Sequence, residues 1–138
     1  MKSKYFKIEE LVQPDTLDLL GESKCWELFD ERLIANLDWI KAKFLKVPIT
    51  INSWLWGGDR KYSGYRAVTC PIGAKKSKHK IGEAVDFIVK GITADEMRLW
   101  LKCNQNEMPY PIRLEVGVSW VHLDVANETS EKIIYFNA

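Results

Sequence analysis

Two histidines and one aspartate are the residues of this chain whose types and spacing could do chemistry. His79 stands in Ser77-Lys78-His79-Lys80-Ile81-Gly82, a loop that leads into the apolar run Ala84-Val85-Asp86-Phe87-Ile88-Val89. That run is short, β-branched and aromatic, which predicts a strand over 84–89. An ionised carboxylate inside such a run is costly unless it is paired or holds a metal. His122, the only other histidine, lies in a second strand-like run, Trp120-Val121-His122-Leu123-Asp124-Val125. Two imidazoles and a carboxylate, from one loop and two strands, could bind one Zn2+ and leave a fourth position open, the arrangement of catalytic zinc. A single histidine is more often a satisfied core or surface residue. Finding both histidines of the chain in this setting favours the metal.

Residues two apart on a strand share a face. Trp120, His122 and Asp124 therefore point one way, and Asp86 shares its face with the small Ala84 and with Ile88. If the two strands are neighbours, Asp86 and His122 meet across them and His79 folds over to complete the triad. Asp124 is placed to accept from a ligand imidazole and orient it. A hydrolytic site also needs a general base for a water that zinc acidifies to a pKa of about 7. Glu115 is the candidate, with Glu83 and Asp124 as alternatives. Glu115 lies an odd number of residues before His122, so it faces the metal only if the chain breaks at Gly117. Arg66 is the candidate electrophile, because a guanidinium offers a fixed fork of donors to a carboxylate or oxyanion. Ser77, Tyr65 and Ser63 could add hydrogen bonds to a peptide. Trp54, Trp56 and Tyr62 could wall a groove.

Several elements must position these groups. The stripe Trp26, Phe29, Leu33, Leu37, Ile40 and Phe44 predicts a helix over 24–46. Before it, Pro14 interrupts, Asp15 or Thr16 caps a short helical turn, and Gly21 ends it. Strands are expected over 49–54, 112–116, 119–125 and 132–136, the last at an edge. Thr93 and Glu96 form a capping box for a helix ending near Asn104. The expected fold is α+β in one domain spanning 1–138: a mainly antiparallel sheet with helices packed on one side.

Composition excludes several functions. Net charge is +1, so no global field draws nucleic acid or an anionic membrane. Lys75, Lys76, Lys78 and Lys80 form a basic loop without interleaved aromatics, which reads as solvated rather than nucleic-acid-binding. No apolar stretch is long enough for a membrane span. The start of the chain has no signal-like apolar region, so synthesis in the cytoplasm is expected. Three scattered cysteines argue against a disulfide framework.

The pattern Ser77-x-His79-x-x-Gly82-x-Ala84-x-Asp86-Phe87, with Trp120-Val121-His122-Leu123-Asp124 after it, resembles the D-alanyl-D-alanine carboxypeptidase family of zinc peptidases. That family includes the VanX dipeptidases and many phage endolysin peptidases, and shares its fold with the hedgehog signalling domain. Tyr5 to Leu11, Asn52-Ser53-Trp54, Gly57-Gly58 and Ser63-Gly64-Tyr65-Arg66 look like further segments of the phage-type members. The resemblance implies a hedgehog-like fold and one zinc held by His79, Asp86 and His122. It implies Arg66 at the substrate, and hydrolysis of a peptide bond in the peptidoglycan stem or its precursor, as a D-Ala-D-Ala carboxypeptidase or an endolysin-type endopeptidase. Many members carry an acid three residues before the last histidine, where this chain has Ser119. Others place it further upstream, where Glu115 stands. A monomeric phage lysin released to the cell wall fits this reading. The alternative is a catalytically inactive zinc domain that binds wall peptide or a protein partner.

Overall fold

Alternation decides the sheet. In the computed structural model, which describes residues 1–67, 69–72 and 77–137, the run Ala84–Val89 is a strand, β2. Its odd residues Val85, Phe87 and Val89 are buried in the apolar core, while Asp86 takes the other face with Ala84 and the exposed Ile88. β1 (Ile49–Thr50) precedes it, and β3 (Ile112–Glu115), β4 (Val121–Asp124) and β5 (Ile133–Phe136) follow. The strand order is β1-β2-β4-β3-β5. Every pairing is antiparallel except β3 with β5, which is parallel. The sheet is therefore mixed but mostly antiparallel, with the last strand at an edge.

Among the described residues four α-helices accompany it: α1 (Pro14–Leu20), α2 (Glu22–Trp26), α3 (Glu31–Lys43) and α4 (Ala94–Asn104). Leu33, Leu37 and Ile40 of α3 and Met97 and Leu101 of α4 join one apolar cluster with Val85, Phe87, Leu114, Val121 and Leu123 of the sheet. The opposite face of the sheet carries Asp86, His122, Asp124 and Arg113 beside Ala84 and Ile88. The Thr93–Glu96 capping box forms in full, with bonds of 3.1 and 3.0 Å, and starts α4.

The helix expected over 24–46 is two helices. The apolar stripe is continuous, but Asp30 breaks the backbone ladder. Its backbone is extended and its carboxylate accepts from the Arg32 amide at 2.9 Å, capping α3. Its own N–H donates to Gly82 O at 3.0 Å. Pro14 does not interrupt a helix. It opens α1 at the first position, where its missing N–H costs nothing. The strand expected over 49–54 ends at Thr50, because Asn52 turns to other partners. Asn52 donates from Nδ2 to Val12 O at 3.0 Å and accepts from the Ser63 amide at 2.9 Å, tying the N-terminal segment to the loop before β2.

The break at Asp30 matters for the site because Gly82 packs into it. Gly82 has φ +72, and a Cβ there would meet Leu28 O at 1.9 Å. Only glycine lets the turn carrying His79 lie against the α2–α3 junction. Gly91, with φ +77, has open space around it. Gly91→Ala should therefore cost about 1–2 kcal/mol for the left-handed backbone alone, and Gly82→Ala distinctly more. Denaturant unfolding of both variants measures the difference, and equal costs would contradict this packing.

Candidate metal centre

β2 and β4 run antiparallel with Asp86 directly opposite His122. The hydrogen-bond ladder alone brings these two side chains together on the polar face. His79 comes from the 3-10 turn Lys78–Ile81, where the Ser77 hydroxyl accepts from the His79 amide at 3.3 Å and caps the turn. Arg66 N–H donates to His79 O at 3.1 Å, and Asp86 N–H donates to Ser63 O at 2.7 Å, so the loop is stitched to both sides of the cluster. All three residues are buried: His79 2%, Asp86 8% and His122 9% exposed.

Each imidazole has one nitrogen engaged and one facing the carboxylate. His79 Nδ1 lies 2.8 Å from Gly64 O, and a carbonyl can only accept, so Nδ1 carries the proton and Nε2 faces Asp86 Oδ1 at 3.2 Å. His122 Nε2 lies 3.0 Å from Asp124 Oδ2, and its Nδ1 lies 2.8 Å from the same Asp86 oxygen. One ligand atom from each of His79, Asp86 and His122 falls within 4.8 Å of the others. Tetrahedral ligands about 2.0–2.1 Å from a zinc ion stand roughly 3.3 Å apart. The donor set, its spacing and the outward anchoring of both rings fit a zinc ion.

The charges are strongly coupled. Burial opposes the charged form of His122, but the hydrogen bonds to Asp124 and Asp86 outweigh it and push its pKa up to about 9. Burial likewise raises Asp86, but hydrogen bonds from His122 and His79 outweigh it and hold the carboxyl well below the usual range. Asp124 is also lowered: burial is outweighed by hydrogen bonds from His122 and Arg113.

Glu115 joins the cluster through the break expected at Gly117, which is a turn between two strands. Gly117, with φ +80, lies in a connection between β3 and β4, and the two strands pair with Arg113 opposite Asp124 and Leu114 opposite Leu123. Continuing that register puts Glu115 opposite His122, on the same face, so the odd separation is no obstacle. Its Oε2 lies 4.0 Å from His122 Nδ1. The other two candidates are engaged elsewhere. Asp124 is held by Arg113 and His122, and Glu83 pairs with Lys78 at 3.8 Å. Arg66 donates from Nε to Tyr62 O at 2.7 Å and reaches Asp86 Oδ2 from Nη2 at 3.3 Å.

Other expectations fare differently. The Tyr65 ring packs edge-on against Phe29, with centroids 6.3 Å apart. Trp54 Nε1 donates to Val12 O at 2.8 Å, so this ring braces the N-terminal segment, while Trp56 is exposed. Of the basic loop, Lys75 and Lys76 lie outside the described residues, Lys78 pairs with Glu83, and Lys80 is buried. Among the described residues no helix is long and apolar enough to cross a membrane. Two contributors went unread in the sequence. Arg113 alternates with the buried Ile112 and Leu114, a parity that could have placed it on this face. The Gly64 carbonyl carries no side-chain signal at all. Comparison of the chain with protein-family models, curated proteins and solved structures finds no match.

The raised pKa of His122 has a sign that can be checked. A group whose pKa is higher folded than unfolded stabilises the fold fully below its unfolded value, about 6.5, and loses that contribution as pH rises through the folded value. The metal-free protein should lose on the order of 3 kcal/mol between pH 6.5 and about 9. Metal must displace the same proton, so the gain in melting temperature from added zinc should grow over this window. Thermal unfolding with chelator and with zinc at pH 6 to 9 checks both trends, and a zinc effect that shrinks with pH would contradict them.

Proposed function

We propose that this chain is a zinc-dependent peptidase that hydrolyses peptide bonds of bacterial cell-wall peptidoglycan. The observation that carries the reading is the convergence of His79, Asp86 and His122 with one further carboxylate, Glu115, and one guanidinium, Arg66. A purely structural metal site needs neither of the last two. The resemblance of Ser77 to Phe87 and of Trp120 to Asp124 to the D-alanyl-D-alanine carboxypeptidase family supplies the substrate class. The hedgehog-like fold belongs to the same proposal, supported by a mostly antiparallel sheet whose central pair carries Asp86 and His122.

Held by His79, Asp86 and His122, a zinc ion would supply Lewis acidity toward the scissile carbonyl and the attacking water. Glu115 is the general base. It stands beside His122 and can accept the proton of the attacking water, then return it to the departing amine. Arg66, already turned toward Asp86, presents guanidinium donors to the developing oxyanion or to a substrate carboxylate. Asp124 keeps the His122 ring in place. Ser77 and Tyr65 remain the candidates for hydrogen bonds to the peptide.

Glu115→Gln separates this reading from a silent binding domain. It removes the base and keeps the three ligands. Digestion of purified peptidoglycan should fall by about 10²–10⁴-fold, with zinc content unchanged. New amino termini would mark an endopeptidase, and released D-alanine a carboxypeptidase. Zinc bound without cleavage by the unmodified chain would overturn the catalytic reading in favour of a zinc domain that binds wall peptide or a protein partner.

A further inference from the structure

We infer that Arg113 is a positioning residue of the metal centre, setting through Asp124 which nitrogen His122 offers to the metal. The inference rests on the metal site proposed above and goes beyond it to a residue that contacts none of the three ligand atoms.

Asp124 is fully buried, at 0% exposure. A carboxylate there needs a counter-charge and a partner for each oxygen. Arg113 provides both with a fork: Nε to Oδ1 at 2.8 Å and Nη2 to Oδ2 at 2.9 Å. The Ala126 amide also donates to Oδ1, at 3.1 Å. The remaining direction at Oδ2 faces His122 Nε2, 3.0 Å away. A carboxylate clamped in this way can only accept. His122 must therefore keep the proton on Nε2, so the proton that a metal displaces is the one on Nδ1 and that nitrogen is the one offered to the metal. Nδ1 is also the nitrogen that faces Asp86 and Glu115.

A second contact closes the arrangement. The Arg113 guanidinium lies 4.4 Å above the centroid of the Phe136 ring, and that ring meets His122 edge-on, with centroids 5.6 Å apart. Arg113, Asp124, His122 and Phe136 thus touch in a closed circuit across β3, β4 and β5. The imidazole cannot swing to offer its other nitrogen without displacing a member of that circuit. A pair that only stabilised the sheet would have no such consequence for the ligand.

The test is zinc affinity, by competition with a chromophoric chelator, for the full chain and for Arg113→Gln, Arg113→Lys, Asp124→Asn and the Arg113→Gln/Asp124→Asn double variant, with circular dichroism as a check on folding. Arg113→Gln should weaken zinc by about 10–100-fold, the usual effect of removing an outer partner of a metal-binding histidine. If Arg113 acts through Asp124, the double variant should bind no more weakly than Asp124→Asn alone. Arg113→Lys should recover only part of the loss, because an ammonium cannot present the fork. The visible spectrum of the cobalt-loaded protein should change in Arg113→Gln. Binding within twofold of the unmodified chain, or losses that simply add, would overturn the role of Arg113 while leaving the metal site standing. Should Arg113→Gln fail to fold, unaltered affinity in Arg113→Lys would overturn it equally. An unmodified chain that binds neither zinc nor cobalt would overturn the metal site and this inference together.

Discussion

One buried carboxylate between two imidazoles constrains the rest of this structure. Asp86 Oδ1 lies 2.8 Å from His122 and 3.2 Å from His79, and its other oxygen meets Arg66. A buried negative charge with one partner removed costs several kcal/mol, so every element that delivers a partner is held to a narrow geometry. β4 delivers His122 through strand register. The capped turn after Ser77 delivers His79. The loop tied down by Asn52 delivers Arg66.

Register is where the core and the site depend on each other. Val85, Phe87, Val121 and Leu123 fill the apolar face of the central strands, while Asp86 and His122 fill the other. A slip of one residue in either strand would turn its apolar side chains outward, at about 1.5–3 kcal/mol for each one lost from the core, and drive its charged residues inward. The hydrophobic pattern therefore enforces the pairing that builds the cluster. The polar face needs no further packing logic, because its residues hold one another: Arg113 to Asp124, Asp124 to His122, His122 to Asp86.

The parts of this arrangement that follow from side-chain periodicity were legible in the sequence. β2 reads directly from its apolar run, and the start of α4 reads from Thr93 and Glu96. The facing of His122 and Asp124 reads from their spacing of two. Asp86 stands out in the sequence because a carboxylate in an apolar strand needs a partner. The parts that depend on a side chain bonding to backbone were not legible. Asp30 splits an unbroken apolar stripe by capping α3, and Asn52 ends β1 early; periodicity records which face is buried, not where the ladder is interrupted. Glu115 follows from the break at Gly117, which turns the chain so that β3 pairs with β4 and Glu115 comes beside His122. The Arg113–Asp124 pair depends on β3 lying antiparallel beside β4, and the place of Phe136 on β5 lying parallel beside β3; the second pairing has no signature in either segment.

Whether His79, Asp86 and His122 hold a metal is measured by elemental analysis of the purified protein beside His122→Ala. About one zinc per unmodified chain is expected, by the three-ligand chemistry of such sites, with its loss in the variant. Equal metal content in the two proteins, or none in either after zinc is supplied, would contradict it.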